Sequence, residues 1–434
     1  MDLLTVNDRA GEYPPSYYAA TAKGLRARPL AEGRLRCDVC IVGGGYTGIS
    51  SALHLAQKGF RVILLDAQRL GWGASGRNGG QVNTGMRLDQ PTLEGLHGRD
   101  MARNLWHVAD EAVRLVKTLI GDHGIDCGFK PGVIHAAHRA KYLADERDHV
   151  RRMREDYGVT GLTYLDREAL HALLPSTFYH GGTLDLDAGH LHPLNYLLGL
   201  ADAAERHGAT LYERSRVLEI REDASPVVVT DAAEIECSHV LVGCNGYGGS
   251  LVGDVARHVM PINGYIAATR PLTEKEAAGV LRADHAVADS KFVINYFRLS
   301  QDRRLLFGGG ETYGYRFPRD IDAVVRKPLA EVFPQLAQIP FDYCWGGTLG
   351  ITMSRMPYVR RYAGNVLSAS GFSGQGVALA TLAGRILADA VAGQVQKFDL
   401  LAALPATAFP GGPRLRTPLL VLAMTWYALR DRLG

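Results

Sequence analysis

The hydrophobic pattern near the start of the chain predicts a strand, a helix and a second strand in succession. Residues 37–42 are a short, mostly apolar run of the kind that makes a buried parallel strand, and residues 62–65 are another. Between them, apolar residues recur at helical spacing over residues 49–56. Asp66 follows the second run directly. This order is typical of a βαβ unit in a parallel sheet.

Three glycines in the pattern GxGxxG separate the first predicted strand from the helix: Gly43, Gly45 and Gly48. They permit a tight turn, close approach of a pyrophosphate and close helix–strand packing, and the N–H groups that begin the helix favour phosphate. Asp66, 18 residues after Gly48, is placed to accept the ribose hydroxyls of an adenosine. Because a carboxylate repels a 2′-phosphate, NADP is disfavoured, and FAD and NAD both stay open.

A glycine-rich loop, residues 69–81, follows Asp66 and contains too much glycine for a helix or strand. In an α/β sheet such a loop lies beside the ligand crevice, so Ser75 is predicted to face a ligand as a hydroxyl donor and Arg77 as a cation. Residues 371–376 form a second glycine turn, between a predicted strand and an Ala/Leu-rich helix. Two such turns indicate one dinucleotide that carries an additional wide group.

The remaining pattern divides into helical and alternating regions. Residues 91–157 show helical periodicity with mixed charge, which predicts solvated helices. Short apolar runs around Val217 and over 239–247 predict further strands, the latter entering a glycine turn. Residues 260–345 alternate in the way of an antiparallel sheet, which predicts a second domain inserted into the first.

The composition of the chain mainly excludes classes of function and location. The chain has 434 residues, 47% of them hydrophobic and 21% charged, which suits a globular protein of two domains. A net charge of +3 without a basic tract argues against nucleic acid as a partner. The first residues lack the basic start and apolar run of a signal peptide, and no run of 18 apolar residues exists, so we expect a cytoplasmic protein.

An apolar helix is predicted near the C-terminus, beginning after Thr417 and flanked by arginines. At about 16 Å it is too short to cross a bilayer. Packing on the protein and peripheral contact of residues 417–433 with the inner face of the cytoplasmic membrane both stay open.

The cysteines and histidines predict neither disulfides nor metal. The six cysteines are scattered, and Cys37 and Cys40 are expected to point to opposite faces of the first strand as buried small residues. His190 and His192 are two residues apart, whereas metal pairs on a helix are three or four apart, so we expect them at a helix entry.

Taken together, these segments resemble the FAD-dependent amine and amino-acid oxidoreductases of the D-amino-acid-oxidase superfamily, and among them the bacterial gamma-glutamylputrescine oxidoreductases. The resemblance covers nearly the whole chain. It is carried by SYYAAT (16–21), CDVCIVGGGYTG (37–48), GASGRNGGQ (73–81), GHLHPLN (189–195), YFRLSQDRRLLFGGG (296–310), SRMP (354–357), GFSGQGV (371–377), FPGG (409–412) and the terminal LRDRLG.

The resemblance implies FAD, bound non-covalently, and an α/β fold: a Rossmann-like FAD-binding domain of the glutathione-reductase type with an inserted, mainly antiparallel α+β substrate domain. The implied boundaries are 1–36 for an N-terminal arm, 37–92, 188–248 and 346–412 for the FAD-binding domain, 93–187 and 249–345 for the substrate domain, and 413–434 for the C-terminal helix. The implied flavin contacts are Gly43, Gly45, Tyr46, Thr47, Gly48, Asp66 and Ala67 at the ADP half, Ala74, Ser75, Gly76, Arg77, Asn78, Gly79, Gly80 and Gln81 along the ribityl chain and ring, Val217 at the adenine, and Gly371, Ser373, Gly374, Gln375 and Gly376 at the pyrimidine end.

The reaction that the resemblance implies is oxidation of a C–N bond, with hydride transfer to flavin N5 and hydrolysis of the imine to an aldehyde or keto product. No side chain is obliged to act as a base, so the candidates are substrate-positioning residues: Tyr265, Tyr296, Arg298 and Arg355. Cys344 lies near the position where some relatives attach flavin covalently, but the motif is out of register and an unlinked cysteine is expected.

One departure from the family pattern bears on the substrate. Members that act on α-amino acids commonly carry an arginine just after the Trp-Gly of the returning strand, whereas this chain has none between Trp345 and Arg355. The missing guanidinium fork favours a gamma-glutamylputrescine-type polyamine derivative with oxygen as acceptor. A membrane-associated dehydrogenase of a secondary or cyclic amino acid (pipecolate, proline or sarcosine type) that reduces quinone stays open, as does a non-catalytic flavin-binding module. The oligomeric state is not predicted.

Overall fold

The structure is a computed structural model that describes residues 2–411 except 222–224, 250, 313 and 363–364. The predicted C-terminal helix lies outside the described residues. The described residues form nineteen strands: β1 Gly33–Arg36, β2 Val39–Val42, β3 Val62–Leu65, β4 Gln81–Val82, β5 Lys130–Ala136, β6 Leu162–Leu165, β7 Gly182–His190, β8 Thr210–Tyr212, β9 Val217–Arg221, β10 Val227–Thr230, β11 Ala233–Glu236, β12 His239–Val242, β13 Met260–Thr269, β14 Ala286–Asp289, β15 Tyr296–Leu299, β16 Leu305–Thr312, β17 Phe341–Ile351, β18 Tyr358–Tyr362 and β19 Val366–Ser370.

The same residues form twelve α-helices: α1 Tyr17–Thr21, α2 Tyr46–Gln57, α3 Gln90–His97, α4 Arg99–His123, α5 Leu143–Tyr157, α6 Arg167–Leu173, α7 Pro193–Arg206, α8 Gly253–His258, α9 Glu274–Ala278, α10 Ile321–Val332, α11 Gly376–Val391 and α12 Gln396–Ala402. None of these helices is by itself long and apolar enough to span a bilayer; α11 and α12 meet that test only as a pair bent by 119°.

A six-stranded sheet forms the nucleotide-binding half, in the order β18-β19-β12-β2-β3-β8. Its pairs are parallel except β18 with β19. Every residue of β2 is buried, and the faces alternate: Val39 and Ile41 pack toward α2, α7 and α11, while Cys40 and Val42 pack toward a four-stranded sheet, β1-β11-β10-β9. The predicted strand–helix–strand unit is therefore confirmed.

A nine-stranded sheet forms the second half, in the order β17-β13-β16-β15-β14-β5-β7-β4, with β6 paired to β7. The predicted antiparallel region is confirmed, since β13, β15, β16 and β17 pair in antiparallel fashion. The helical prediction for 91–157 was wrong at β5, which lies between charged helices that dominate the local periodicity. The long strand β17 crosses the predicted boundary at 345/346, and so joins the substrate wall to the nucleotide half.

The N-terminal residues pack against the body of the protein along much of their length. Tyr18 is fully buried, and β1 pairs in parallel with β11. Near the start, Asn7 donates a hydrogen bond to the Tyr315 carbonyl at 2.8 Å and accepts one from Phe317 N–H at 2.8 Å. Residues predicted to form a separate arm therefore contact the nine-stranded half directly.

The prediction that Cys37 and Cys40 point to opposite faces was wrong. Both are buried with Cys237 in the cluster between the six-stranded and four-stranded sheets. The strand begins only at Val39, so the alternation of side chains does not extend back to Cys37. A hydrogen bond to the Cys237 thiol raises the pKa of Cys37 to about 12.

Candidate active site

A cavity of about 1120 Å³ lies where the carboxyl ends of the parallel strands meet the nine-stranded sheet. Pockets for one drug-sized ligand are commonly about 300–1,000 Å³, so this cavity has room for an extended cofactor together with a substrate. Both glycine turns contribute to its wall. The crevice beyond the carboxyl ends of the strands is also where open α/β sheets bind their ligands.

The first glycine turn places the beginning of α2 against the cavity. Gly43 has a φ of +106°, and a Cβ there would lie 3.0 Å from the Gly243 carbonyl at the end of β12. Gly48 is not among the cavity-lining residues. A Cβ at this position would lie 1.9 Å from the Gly43 carbonyl oxygen, so the glycine allows α2 to pack closely on β2. Gly45 and Tyr46 are on the wall, at the beginning of α2.

The side chain of Asp66 lies beside this turn, on the cavity wall. It accepts hydrogen bonds from Gly44 N–H at 2.6 Å and Gln68 N–H at 2.7 Å. Burial raises the pKa of Asp66 to about 6. Ala67 and Val217, both predicted at the nucleotide, also line the cavity.

The loop after β3 is held by its own hydrogen bonds. Ser75 Oγ accepts from Tyr46 N–H at 3.1 Å, so this hydroxyl caps the beginning of α2. Asn78 donates to the Ala74 and Ser75 carbonyls and accepts from Gly80 N–H. Of the predicted loop contacts, the structure places the following on the wall: Ala74, Ser75, Arg77, Asn78, Gly79 and Gln81.

Arg77 was predicted to face the ligand as a cation, but its charge is matched within the protein. Nη1 lies 2.8 Å from an oxygen of Asp8, Nε donates to the Trp72 carbonyl at 2.6 Å, and the guanidinium stacks on the Trp72 ring. Only Nη2 is buried without a hydrogen-bond partner. Arg77 therefore anchors the N-terminal residues and keeps one N–H group available toward the cavity.

The second glycine turn lines the same cavity and follows β19, which is separated from β2 by β12 in the six-stranded sheet. Gly371 N–H donates to Asn245 Oδ1 at 2.9 Å, and the turn passes through Ser373 and Gly374, both with positive φ, before α11 begins. Ser373, Gly374, Gln375 and Gly376 line the cavity, whereas Gly371, like Gly76 and Gly80, is off the wall and permits close packing. Thr47 completes the wall of the first turn.

Two side-chain acceptor atoms on the wall are buried without a hydrogen-bond partner in the described part of the chain. They are Oε1 of Gln375 and Oδ1 of Asn83. Buried acceptors are normally paired, so both atoms are suited to a ligand that presents N–H or O–H donors. A flavin ring and a ribityl chain present such donors, and the residues therefore fit the cofactor.

Of the four substrate-positioning candidates, the structure brings two to the cavity. Tyr296 lies on the wall, where its ring covers Gly79, and Arg355 lies on the wall with a φ of +60°. Tyr265 is fully buried and hydrogen-bonded to Thr312, off the wall. Arg298 is also off the wall.

The guanidinium of Arg298 is engaged by the protein. It donates to the Gly79 carbonyl at 2.9 Å and to the Leu191 carbonyl at 2.9 Å. These bonds hold the glycine-rich loop against β15. Arg298 thus supports the cavity wall from behind.

Sequence reasoning missed several residues of the wall. Asn245 and Tyr247 follow β12, and Tyr247 accepts a hydrogen bond from Thr348 N–H at 3.2 Å. The glycine turn after residues 239–242 was visible, and the carboxyl end of a strand beside β2 is a ligand position. The cavity is also lined by Arg87, His135 and Glu311, which no local sequence motif predicts.

Cys344 lies on β17, half-buried and packed against the core under the nine-stranded sheet, and it is not among the cavity-lining residues. Its register partner is Ala267 on β13. Burial raises the pKa of Cys344 to about 12, so the thiolate is disfavoured. This placement agrees with non-covalent binding of flavin.

Comparison with known proteins agrees with the cavity. The model of the family described as FAD dependent oxidoreductase (DAO) matches residues 38–390. The chain belongs to this family. It is a FAD-dependent oxidoreductase, as the resemblance implied, and FAD is its cofactor.

Among the curated relatives, the chain is 43% identical to a probable oxidoreductase OrdL of Rhizobium meliloti, over 96% of this chain and 97% of that protein. It is 39% identical to the gamma-glutamylputrescine oxidoreductase of Escherichia coli, over 98% of this chain and 99% of that protein. Among solved structures, glycine oxidase from Geobacillus kaustophilus matches with a TM-score of 0.72 at 23% identity, covering 84% of this chain and 97% of that one. The structural likeness confirms the predicted α/β fold.

Proposed function

We propose that this protein oxidises the terminal primary amine of a gamma-glutamylated diamine of the gamma-glutamylputrescine type, with oxygen as electron acceptor. The observation that carries the proposal is the 39% identity, over nearly the full length of both chains, to a gamma-glutamylputrescine oxidoreductase. The absence of an arginine between Trp345 and Arg355 supports it, because a plain α-amino acid would need a carboxylate partner there.

The residues that would hold the cofactor line one cavity. Gly45 and Thr47 lie at the beginning of α2, where N–H groups favour a pyrophosphate, Asp66 offers a carboxylate to the ribose, and Gln375 offers a buried acceptor to the ring. When bound, FAD would supply the acceptor for the two electrons that leave when the amine is oxidised to an imine. The task left to the protein is to orient the amine and to keep it unprotonated.

His135 is suited to that second task. It lies on the cavity wall, where burial lowers the pKa of its imidazole; the charge of Asp185 opposes this shift, and the charges of His149 and Arg87 add to it. A neutral imidazole can accept the proton that an alkylammonium must lose before oxidation. The rings of Tyr296 and Phe292 supply apolar wall for a methylene chain.

Anaerobic mixing of the flavin-loaded protein with candidate substrates tests the proposal, because a substrate reduces the flavin and bleaches its yellow colour. We expect gamma-glutamylputrescine to bleach it, and putrescine, glycine and sarcosine to bleach it much more slowly. Bleaching by proline, pipecolate or sarcosine instead would establish the secondary or cyclic amino acid alternative. Failure of all these compounds would favour a non-catalytic flavin protein.

The electron acceptor is tested separately, by comparing oxygen uptake with reduction of a soluble quinone analogue. Oxygen uptake at the rate of substrate oxidation supports the oxidase proposal, and preference for the quinone contradicts it. The membrane-docking alternative depends on residues 417–433, outside the described residues, and truncation before Pro413 followed by fractionation tests it.

A further inference from the structure

Two arginines on the cavity wall lack the partners that the other cavity arginines have. Within the described ranges, neither Arg87 nor Arg355 has an ion pair, and neither guanidinium has a hydrogen bond. The two other arginines on the wall are both paired: Arg77 with Asp8 at 2.8 Å and Arg216 with Asp2 at 2.6 Å. An unpaired cation in a recess is costly unless a ligand supplies the opposite charge.

The two arginines line the same cavity, and the charge of one acts on the other. Arg87 follows β4, and Arg355 lies in the turn between β17 and β18; both are half-buried on the same cavity wall. Burial lowers the pKa of Arg87, and the charge of Arg355 lowers this pKa further. Arg355 also holds a left-handed φ of +60°, a conformation that non-glycine residues adopt where the surrounding structure imposes it.

Glu311 reduces the net positive charge that Arg87 and Arg355 give to the cavity wall. It lies on the same wall, on β16, and partly offsets the effect of Arg355 on Arg87. Two guanidinium groups and one carboxylate sum to a net charge of +1. That balance suits a singly charged anion such as a carboxylate better than a phosphate dianion. Guanidinium groups also match the planar geometry of a carboxylate.

We propose that Arg87 and Arg355 form a subsite for the carboxylate of the glutamyl group, and so select acylated over free diamines. This inference rests on the proposed function, since the glutamyl head group supplies the carboxylate. It assigns the head group to side chains from two separate loops. The arginine that α-amino-acid substrates would need after Trp345 is then unnecessary, because the recognised carboxylate is remote from the carbon that is oxidised.

The test measures binding without turnover. The ligand gamma-glutamyl-n-butylamide keeps the head group but has no terminal amine to oxidise, and the second ligand, in which a neutral carboxamide replaces its α-carboxylate, lacks only the negative charge. Binding of each to the flavin-loaded protein is followed by perturbation of the flavin absorbance spectrum. We expect Arg87→Ala and Arg355→Ala each to weaken binding of the first ligand by roughly 10- to 100-fold, the usual effect of losing a charged hydrogen bond.

The second ligand should bind the wild type and both variants alike. Arg114→Ala is the matched control, because it removes the same charge from the exposed surface of α4 and should change neither affinity. Arg87→Lys keeps the charge, is expected to fall between wild type and Arg87→Ala, and covers the case in which Arg87→Ala retains no flavin. Equal losses for both ligands, or no loss for either, would overturn the subsite.

These outcomes separate the subsite from the proposed function. If gamma-glutamylputrescine reduces the flavin but its KM is unaffected by Arg87→Ala and Arg355→Ala, the function stands and the subsite is wrong. If the butylamide binds in an arginine-dependent way but gamma-glutamylputrescine does not reduce the flavin, the subsite stands and the proposed reaction is wrong.

Discussion

The two sides of the cavity differ in how their charged groups are partnered. At the nucleotide side, Asp66 accepts from two backbone N–H groups, and Arg77 and Arg216 each pair with a carboxylate from the N-terminal residues. At the substrate side, Arg87 and Arg355 have no ion pair among the described residues. The charges of the first side are matched within the protein, whereas we propose that a substrate carboxylate matches those of the second. The comparison therefore separates residues that shape the site from residues that, under this proposal, choose the substrate.

The largest expected effect on stability is on the nucleotide side, where the backbone of α2 packs directly against the backbone that follows β2. Gly48→Ala places a Cβ 1.9 Å from the Gly43 carbonyl oxygen, which cannot move without displacing β2. We expect a loss of about 3 kcal/mol or more in the free energy of unfolding, together with loss of bound flavin.

Urea unfolding and the flavin-to-protein ratio after gel filtration measure both effects. Gly121→Ala is the control, because a Cβ at that position of α4 meets nothing within 4 Å and alanine favours a helix. A Gly48→Ala protein as stable as wild type would contradict the close packing of α2 on β2.

The next effect concerns the N-terminal residues. Asp8→Ala leaves the Arg77 guanidinium, whose side chain is 2% exposed, without its carboxylate partner. Breaking a buried pair in this way costs about 3 kcal/mol, so we expect a lower unfolding midpoint and faster release of flavin.

Asp148→Ala serves as the comparison, because its pair with Arg151 is about half exposed and solvent screens it, so that its loss should change stability much less. Thermal unfolding of the wild type, Asp8→Ala and Asp148→Ala measures the difference in their unfolding midpoints. Equal midpoints for Asp8→Ala and Asp148→Ala would show that the nucleotide side does not depend on the Asp8–Arg77 pair.

A smaller, pH-dependent effect is expected at Asp66. We propose that the carboxylate form of Asp66 accepts hydrogen bonds from the ribose hydroxyls. Burial raises the pKa of Asp66 to about 6, so a proton would compete with FAD as the pH falls through that value. Affinity for FAD should be about tenfold weaker at pH 5 than at pH 8, since each pH unit below the pKa costs a factor of ten.

In the flavin-free protein, the contribution of Asp66 to stability changes with pH in the opposite direction. Because the folded pKa lies above the ordinary value of 3.8, the contribution of Asp66 to stability is complete below that value and is lost as the pH rises through about 6. Flavin fluorescence quenching and urea unfolding across pH 4.5–8 measure the two trends. Asp66→Asn should flatten both, and a profile unchanged by this substitution would assign the titration to another group.

The smallest effect is expected at Cys344, which lies off the cavity wall. Cys344→Ser should leave flavin content and its release on acid denaturation unchanged. Flavin that stays with the denatured wild type but is released from Cys344→Ser would show that a covalent link exists.

Sequence reasoning found the nucleotide side because that side is built from backbone geometry. Gly43, Gly45 and Gly48 leave a local pattern, and Asp66 lies at a fixed distance from it. The strand β5 was missed because charged helices on both sides dominate the periodicity. Arg87, Glu311 and Arg355 come from three distant loops and strands, so only folding brings them to one wall. Arg298, which lies in a conspicuous motif, proved to support the loop backbone.

The most direct test of the contrast between the two sides is an experimental structure of the flavin-loaded protein with gamma-glutamyl-n-butylamide. We predict that the ligand carboxylate lies within hydrogen-bond distance of the Arg87 and Arg355 guanidinium groups, while Arg77 and Arg216 keep their pairs with Asp8 and Asp2. A carboxylate bound elsewhere, with Arg87 and Arg355 unpaired in the complex, would contradict the account.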